Sequence, residues 1–362
     1  MRMESITVQT PGKLMLAGEF AVLEPNQKLI VMAVDRFVYT NLVESEKNIV
    51  HLPNFSLNQL QWKFVDEQVT FASKDERIQF VQMAMQITFD YLRENSIQVT
   101  SFTLTVRSEL DDPKSGAKYG LGSSAAVVTS VVEAILTHGL NDAPDKELIF
   151  KLASMAHVRT QGNGSGADIA ASTYSGVLEY TSFQAEWLLQ AMDQMESVTA
   201  LVRSDWIYLS VEQTAIPQDV DIFVGWTGKP ASTKSLVNEV LALKKSAPHT
   251  FTTFLEESSR AVEKIVHGMN QDDIALFLAG ISDNRRALAK VGNEAKVPIE
   301  TEKLATLSDI AEQFGGAGKL SGAGGGDCGL AFVEAEVNVP AMHKAWINET
   351  IEPLDIQIYY RK

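Results

Sequence analysis

Residues 118–136 read KYGLGSSAAVVTSVVEAIL: two glycines and two serines run into an apolar helix with no loop between them. The first N–H groups of a helix lack partners within it and sit at the positive end of its macrodipole. A helix start stripped of bulky side chains is therefore an anion site. Gly120 and Gly122 let the backbone approach a phosphate closely, and Ser123 and Ser124 add hydroxyls suited to phosphate or to Mg²⁺. The plainer alternative is an ordinary helix capped by serine, which needs one serine and no glycine pair.

Two better-known phosphate loops do not fit. A P-loop needs Gly-Lys followed by Ser or Thr, whereas Gly12-Lys13, Gly228-Lys229 and Gly318-Lys319 are followed by Leu, Pro and Leu. The run from Gly120 to Ala125 matches the looser dinucleotide pattern G-x-G-x-x-A, but a loop precedes it and no strand-end acid follows about 20 residues on.

Two further glycine-bearing stretches stand out. In PGKLMLAGEFAVL (11–23), Lys13 follows a Pro-Gly turn and opens a short apolar strand, which suits an ammonium directed into a cleft; a solvated turn lysine is the other reading. In KLSGAGGGDCGLAF (319–332), five glycines fall among the eight residues from Gly322 to Gly329. Such density marks either close approach to a ligand or a tight hairpin.

The 362 residues suggest two domains, with a change of texture near 215. The apolar block LIVMAV (29–34) is far short of the ~18 residues of a membrane span. No secretion signal opens the chain, so a cytoplasmic location is expected. Cys328 is the single cysteine, and no Cys/His spacing resembles a zinc site. With 31 Lys+Arg against 46 Asp+Glu, the formal net charge is −15, which argues against nucleic acid or an anionic membrane as partner. An anionic ligand must then be held by a local cluster.

Periodicity predicts a strand at SITVQT ending in the Pro11-Gly12 turn, one or two strands over 29–45, and a helix over 76–95. Further helices are predicted near 145–160, 232–246, 250–267, 272–291 and 301–314, and a terminal strand at DIQIYYR.

The three stretches PGKLMLAGE, GLGSSAA and SGAGGGDCG, in that order, resemble the motifs of the GHMP kinases, the superfamily of galactokinase, homoserine kinase, mevalonate kinase and phosphomevalonate kinase. Within it, KYGLGSSAAV, QGNGSGADIAAS, GWTGKPAS and KLSGAGGGDCG are most similar to the bacterial enzymes that act on mevalonate 5-phosphate. The resemblance implies an α/β (α+β) fold of two domains: a ribosomal protein S5-like half over 1–214 and a ferredoxin-like half over 215–362, with the site between them. It also implies ATP and Mg²⁺, mevalonate 5-phosphate as acceptor, and a monomer or homodimer that binds neither nucleic acid nor membrane. The alternatives are a kinase with an alcohol acceptor such as mevalonate, and a non-catalytic nucleotide or metabolite sensor.

Carried over residue by residue, the resemblance makes Asp168 and Lys13 the catalytic pair. Lys118, Gly120, Leu121, Gly122, Ser123, Ser124 and Ala125 become the ATP loop, with Ser124 on the metal. An acceptor bearing phosphate and carboxylate would meet Lys13, Gly18, His157, Arg159, Gln161, Ser165, Thr227, Gly228, Ser232, Thr233, Asn284, Arg285, Ser321, Gly322 and Ala323. Two departures stand out. Mevalonate kinases carry a metal-binding glutamate where this chain has His157, a poor ligand for hard Mg²⁺, so His157 is assigned to the substrate phosphate or to the surface. Phe20 stands where those enzymes have a histidine, which argues against mevalonate itself as acceptor.

Overall fold

The structure, a computed structural model, describes residues 5–194, 197–229 and 233–361. Its first half contains β1 (Ser5–Ala17), β2 (Lys28–Glu44), β3 (Ile49–Leu52), β4 (Leu57–Val65), β5 (Gln68–Phe71), α1 (Gln79–Glu94), β6 (Phe102–Ser108), α2 (Ser123–Leu140), α3 (Lys146–Gln161), α4 (Ala167–Tyr174), β7 (Val177–Thr181), α5 (Ala185–Gln194), α6 (Val198–Arg203) and β8 (Ser210–Thr214). The second half contains β9 (Val220–Trp226), α7 (Thr233–Ser246), α8 (Pro248–Gln271), α9 (Ile274–Ala295), α10 (Glu302–Gln313), β10 (Ala317–Leu320), β11 (Cys328–Glu334), α11 (Val339–Asn348) and β12 (Glu352–Leu354).

The first sheet runs β5-β4-β3-β6-β2-β7-β8, with β1 paired to β2. The second is ordered β10-β11-β9-β12 and fully antiparallel. Chain order strand, helices, strand, strand, helix, strand with that spatial order is the split β-α-β arrangement of ferredoxin-like folds.

Pro11-Gly12 does not end the first strand. β1 continues through it to Ala17, with a register shift between Pro11, opposite Phe37, and Gly12, opposite Val34. A bulge absorbs the proline, which cannot donate to the ladder, and the strand goes on. The expected terminal strand is also absent: residues 355–361 make one isolated bridge, Val34 to Ile358. That tail returns to the first half, where the Tyr359 N–H donates to the Ala33 carbonyl and Arg361 pairs with Glu133.

One apolar core runs through both halves, from Leu14, Val31, Val131 and Val158 to Val262, Ile265, Phe277, Leu330 and Phe332. α8 and α9 close over β1 and β2. α2 is long and apolar enough to cross a membrane by composition, yet 61% of it is buried within the protein. Its apolar length is explained by that core position.

Candidate functional site

Among the described residues, five α-helix starts carry a side-chain cap, and the two that bear glycine do not. α3, α6, α9, α10 and α11 begin on Asp145, Ser197, Asp273, Thr301 and Asn338, each of whose side chains accepts from an N–H of the first turn. α2 and α4 begin on Gly122 and Gly166, both left-handed at φ 77°, with no side-chain cap. In α4 the Ala167 N–H donates to Ser165 Oγ and the Ile169 N–H to Asp168 Oδ1, so the end with neither a capping side chain nor a carboxylate in its first turn is that of α2. This excludes the serine-capped reading of α2, and it excludes Asp168 as the cap of α4, since Asp168 lies one residue inside that helix and accepts from the N–H of Ile169 at 3.0 Å.

The two glycine-started ends meet at Lys13. This side chain, 8% exposed, donates from Nζ to the Gly120 carbonyl at 3.1 Å, and its own N–H donates to the Leu121 carbonyl at 2.9 Å. A Cβ built on Gly122 would lie 3.0 Å from Lys13 Cγ and 3.7 Å from Asp168 Cβ. One built on Gly322 would be 4.0 Å from Lys13 Nζ. Lys13 is therefore no solvated turn residue: the bulged strand carries it to where all three glycine-bearing stretches touch. Among the described residues no ion pair within 4 Å joins Lys13 to Asp168; the two groups flank Gly122.

The third stretch is both a hairpin and a close approach. β10 and β11 pair antiparallel, and the loop between them folds back on the site. Ser321 Oγ accepts from the Met15 N–H at 2.8 Å, and Cys328 Sγ donates to the Tyr119 carbonyl at 3.1 Å. A Cβ on Gly120 would strike Asp327 Oδ2 at 2.6 Å, so that glycine is required by contact as well as by its φ of 85°. Burial pushes the Cys328 thiol up, which keeps it unreactive.

Other candidate residues are held by the protein itself. Gln161 donates to Asn163 at 3.2 Å, Ser165 accepts from Ala167 N–H and, through its carbonyl, from Tyr180, and Thr227 donates to the Asp327 carbonyl at 3.0 Å. Gly228 has φ 78° with open space beside it, and Ala323 packs against the cluster around Phe20. Ser232 and the side chain of Thr233 lie outside the described residues.

Five assignments to the acceptor are corrected. Arg159 pairs with Asp193 at 2.5 Å and faces a cavity of about 310 Å³ lined by Glu67, Asp90, Arg93 and Glu94, none of them a site residue. Arg285, with 13% of its side chain exposed, is held by Glu300, Asp309 and Glu312, which drive its pKa further up against the cost of burial. Asn284 is buried: its Oδ1 accepts from the Gly18 N–H at 3.2 Å and its Nδ2 donates to Glu19 at 3.1 Å, so Gly18 and Asn284 bind each other instead of a substrate. His157 is neither a surface residue nor a cation. It is 2% exposed, its Nε2 lies 3.1 Å from Ser124 Oγ, and its ring stacks on Phe80 with centroids 5.3 Å apart. Burial lowers its pKa below 6.5, against the pull of Asp168, so the imidazole is neutral at pH 7.

Three acidic or basic groups escaped the sequence reading. Glu19 and Lys319, 1% and 0% exposed, form a buried pair that joins the turn after β1 to β10. Asp111 stands beside Lys118 and Ser123, with its carboxyl raised by burial while those two groups draw it back down. Glu19 lies inside the quoted AGE segment, but its partner is 300 residues away.

Comparison with known proteins agrees with this arrangement. The family described as GHMP kinases N terminal domain matches residues 80–176, and that described as GHMP kinases C terminal matches 261–351. A curated relative, the phosphomevalonate kinase of Streptomyces sp. strain CL190, is 32% identical over 97% of this chain and 96% of its own length. The Lin0012 protein of Listeria innocua superposes with a TM-score of 0.91 at 34% identity, covering 98% of this chain and 99% of that one. Streptococcus pneumoniae phosphomevalonate kinase, solved with phosphomevalonate and AMPPNP, gives 0.85 at 24% identity over 98% and 100%.

Proposed function

This chain belongs to the GHMP kinase family, and from that premise we propose that it transfers the γ-phosphoryl group of ATP to the 5-phosphate of mevalonate 5-phosphate, giving mevalonate 5-diphosphate and ADP. The observation that carries the kinase reading is the meeting of two glycine-started helix ends on the Lys13 ammonium. The acceptor is read from the relative at 32% identity. We place the division between the halves at 215.

Phosphoryl transfer asks a protein mainly to position the reactants and to neutralise charge on the equatorial oxygens. The amides after Tyr119 hold the ATP phosphates, with Lys118 beside them, and Lys13 offers its ammonium to the transferring group. Ser124 fits Mg²⁺: among the described residues no cluster of three His, Cys, Asp or Glu could hold a metal, and Mg²⁺ commonly takes one or two protein ligands and fills its shell with phosphate and water. When bound it would offset the negative charge of the phosphates.

The acceptor lies against the third loop, at Ser321, Gly322 and Ala323. A phosphate monoester has its second pKa near ~6, so its attacking oxygen is largely ionised at neutral pH. Asp168 consequently orients the acceptor and Lys13, and removes a proton only from the minority monoanion. ADP release measured with mevalonate 5-phosphate and with mevalonate tests the reading. Turnover with the first alone is expected; turnover with mevalonate alone overturns it.

A further inference from the structure

The reaction just described leaves one buried titratable side chain at the site without a task. His157 sits beneath the first turn of α2, with its Nε2 3.1 Å from the oxygen of Ser124. We infer that His157 is a positioning residue for the metal ligand: its Nε2 accepts the hydroxyl proton of Ser124 and thereby turns the lone pairs of that oxygen toward the mouth of the phosphate loop. This rests on the kinase reading of the site.

A serine hydroxyl has one proton and two lone pairs. To ligate a cation it must point oxygen forward, so the proton needs an acceptor behind it. The acceptor local to a helix would be the carbonyl four residues back. Ser124 is the second residue of α2, so the residue four back, Gly120, lies outside the helix, and its carbonyl is turned to the Lys13 ammonium. His157 supplies the alternative from a different helix. Its ring is fixed by the stack on Phe80, at 29° between planes, and by near-complete burial. A ring with its proton on Nδ1 has the Nε2 lone pair open to that hydroxyl.

Outer groups of this kind decide whether a first ligand is presented correctly, and their removal typically costs about 10–100-fold in metal affinity. The consequence here is a division of labour. His157 adds no charge and no metal bond, yet the metal's grip on Ser124 depends on it.

The test uses the whole protein with AMPPNP and Mn²⁺, whose binding is read by electron paramagnetic resonance without any turnover. His157→Leu should weaken Mn²⁺ binding to the protein–AMPPNP complex by about 10-fold or more, while His157→Gln, whose amide oxygen can accept the same proton, should stay within about threefold of the parent. AMPPNP binding in EDTA should be unchanged in both. In a Ser124→Ala background His157→Leu should add nothing. Where the Leu variant unfolds, His157→Phe, which keeps the face against Phe80, takes its place. Equal Mn²⁺ affinity in the Leu variant and the parent overturns the inference, as does an undiminished effect in the Ser124→Ala background. A parent that binds Mn²⁺–AMPPNP but releases no ADP with mevalonate 5-phosphate sinks the acceptor assignment and leaves the His157 comparison standing.

Discussion

Lys319 offers the sharpest perturbation. Its ammonium is fully buried and donates to Glu19 and to the Leu320 carbonyl, while the second oxygen of Glu19 accepts from Asn284. The turn that follows β1, helix α9 and strand β10 are tied by these contacts, and β1 is the strand that carries Lys13. Burial pulls the lysine pKa below 10.5 despite the attraction of Glu19. Lys319→Met leaves the carboxylate of Glu19 inside the protein with the Asn284 amide as its remaining side-chain donor among the described residues. Removing one member of a buried pair costs about 3–5 kcal/mol, a large share of the roughly 5–15 kcal/mol that holds a typical fold. Replacing both members removes the orphaned charge, so Glu19→Gln with Lys319→Met should lose less than about 2 kcal/mol. Urea unfolding followed by tryptophan fluorescence, on the parent, both single variants and the double, gives the coupling directly. If the losses of the two single variants simply add in the double, the two groups do not act as a pair and the reasoning fails.

The remaining predictions concern the site and its surroundings. Gly122→Ala forces a left-handed alanine at about 1–2 kcal/mol and drives its Cβ against Lys13, so kcat/KM in the ADP-release assay should fall by roughly 10²-fold. Asp168→Asn should lose activity at both pH 6 and pH 8.5; near-complete recovery at pH 8.5, where the acceptor is fully ionised, would instead make Asp168 a true base. Arg285→Ala should lower the unfolding midpoint, by about 1–3 kcal/mol, with KM for mevalonate 5-phosphate held within roughly twofold; a large rise in KM would restore Arg285 to the acceptor site. Asp90 has its carboxyl raised from 3.8 mainly by burial, so its folded state binds a proton more readily than the unfolded chain and stability declines as pH rises through that window. Asp90→Asn should therefore melt higher than the parent at pH 7, with the difference shrinking toward pH 4 in calorimetry.

Local periodicity carried the helices well: the stretch expected near 145–160 is Lys146–Gln161, and that near 301–314 is Glu302–Gln313. It failed where a residue's usual effect is overruled by its partners. Pro11-Gly12 carries the signature of a turn, but β2 opposite it is long enough to keep the ladder going around a bulge. The place of Lys13 was read from motif order and not from geometry, since the contacts that fix it come from Gly120, Gly122 and Gly322. Arg285 and Asn284 are adjacent and polar, which suggested a ligand. The structure gives each of them internal partners instead, and those of Asn284 lie 265 and 266 residues away, a separation that no spacing rule reaches. His157 was legible as a departure from a motif, but its burial against Phe80 was not.

The acidity of the chain is resolved by these corrections. A protein of net charge −15 must still hold a triphosphate and a phosphorylated acceptor, and the two arginines that might have lined the cleft are committed to carboxylates elsewhere. What remains is charge built into the backbone. Each helix N-terminus carries roughly half a positive charge, and α2 and α4 bring two of them to one ammonium. An aspartate cap on α2, like those of α3 and α9, would have cancelled that potential at its source, as Asp168 in the first turn of α4 partly does there. The glycine cap of α2 keeps it, and amides fixed by a buried helix lose no side-chain freedom when an anion arrives. The site can thus be strongly attractive to phosphate while the surface around it stays acidic, because the attraction is local and partly buried, and screening by salt weakens it less than it would an exposed lysine patch.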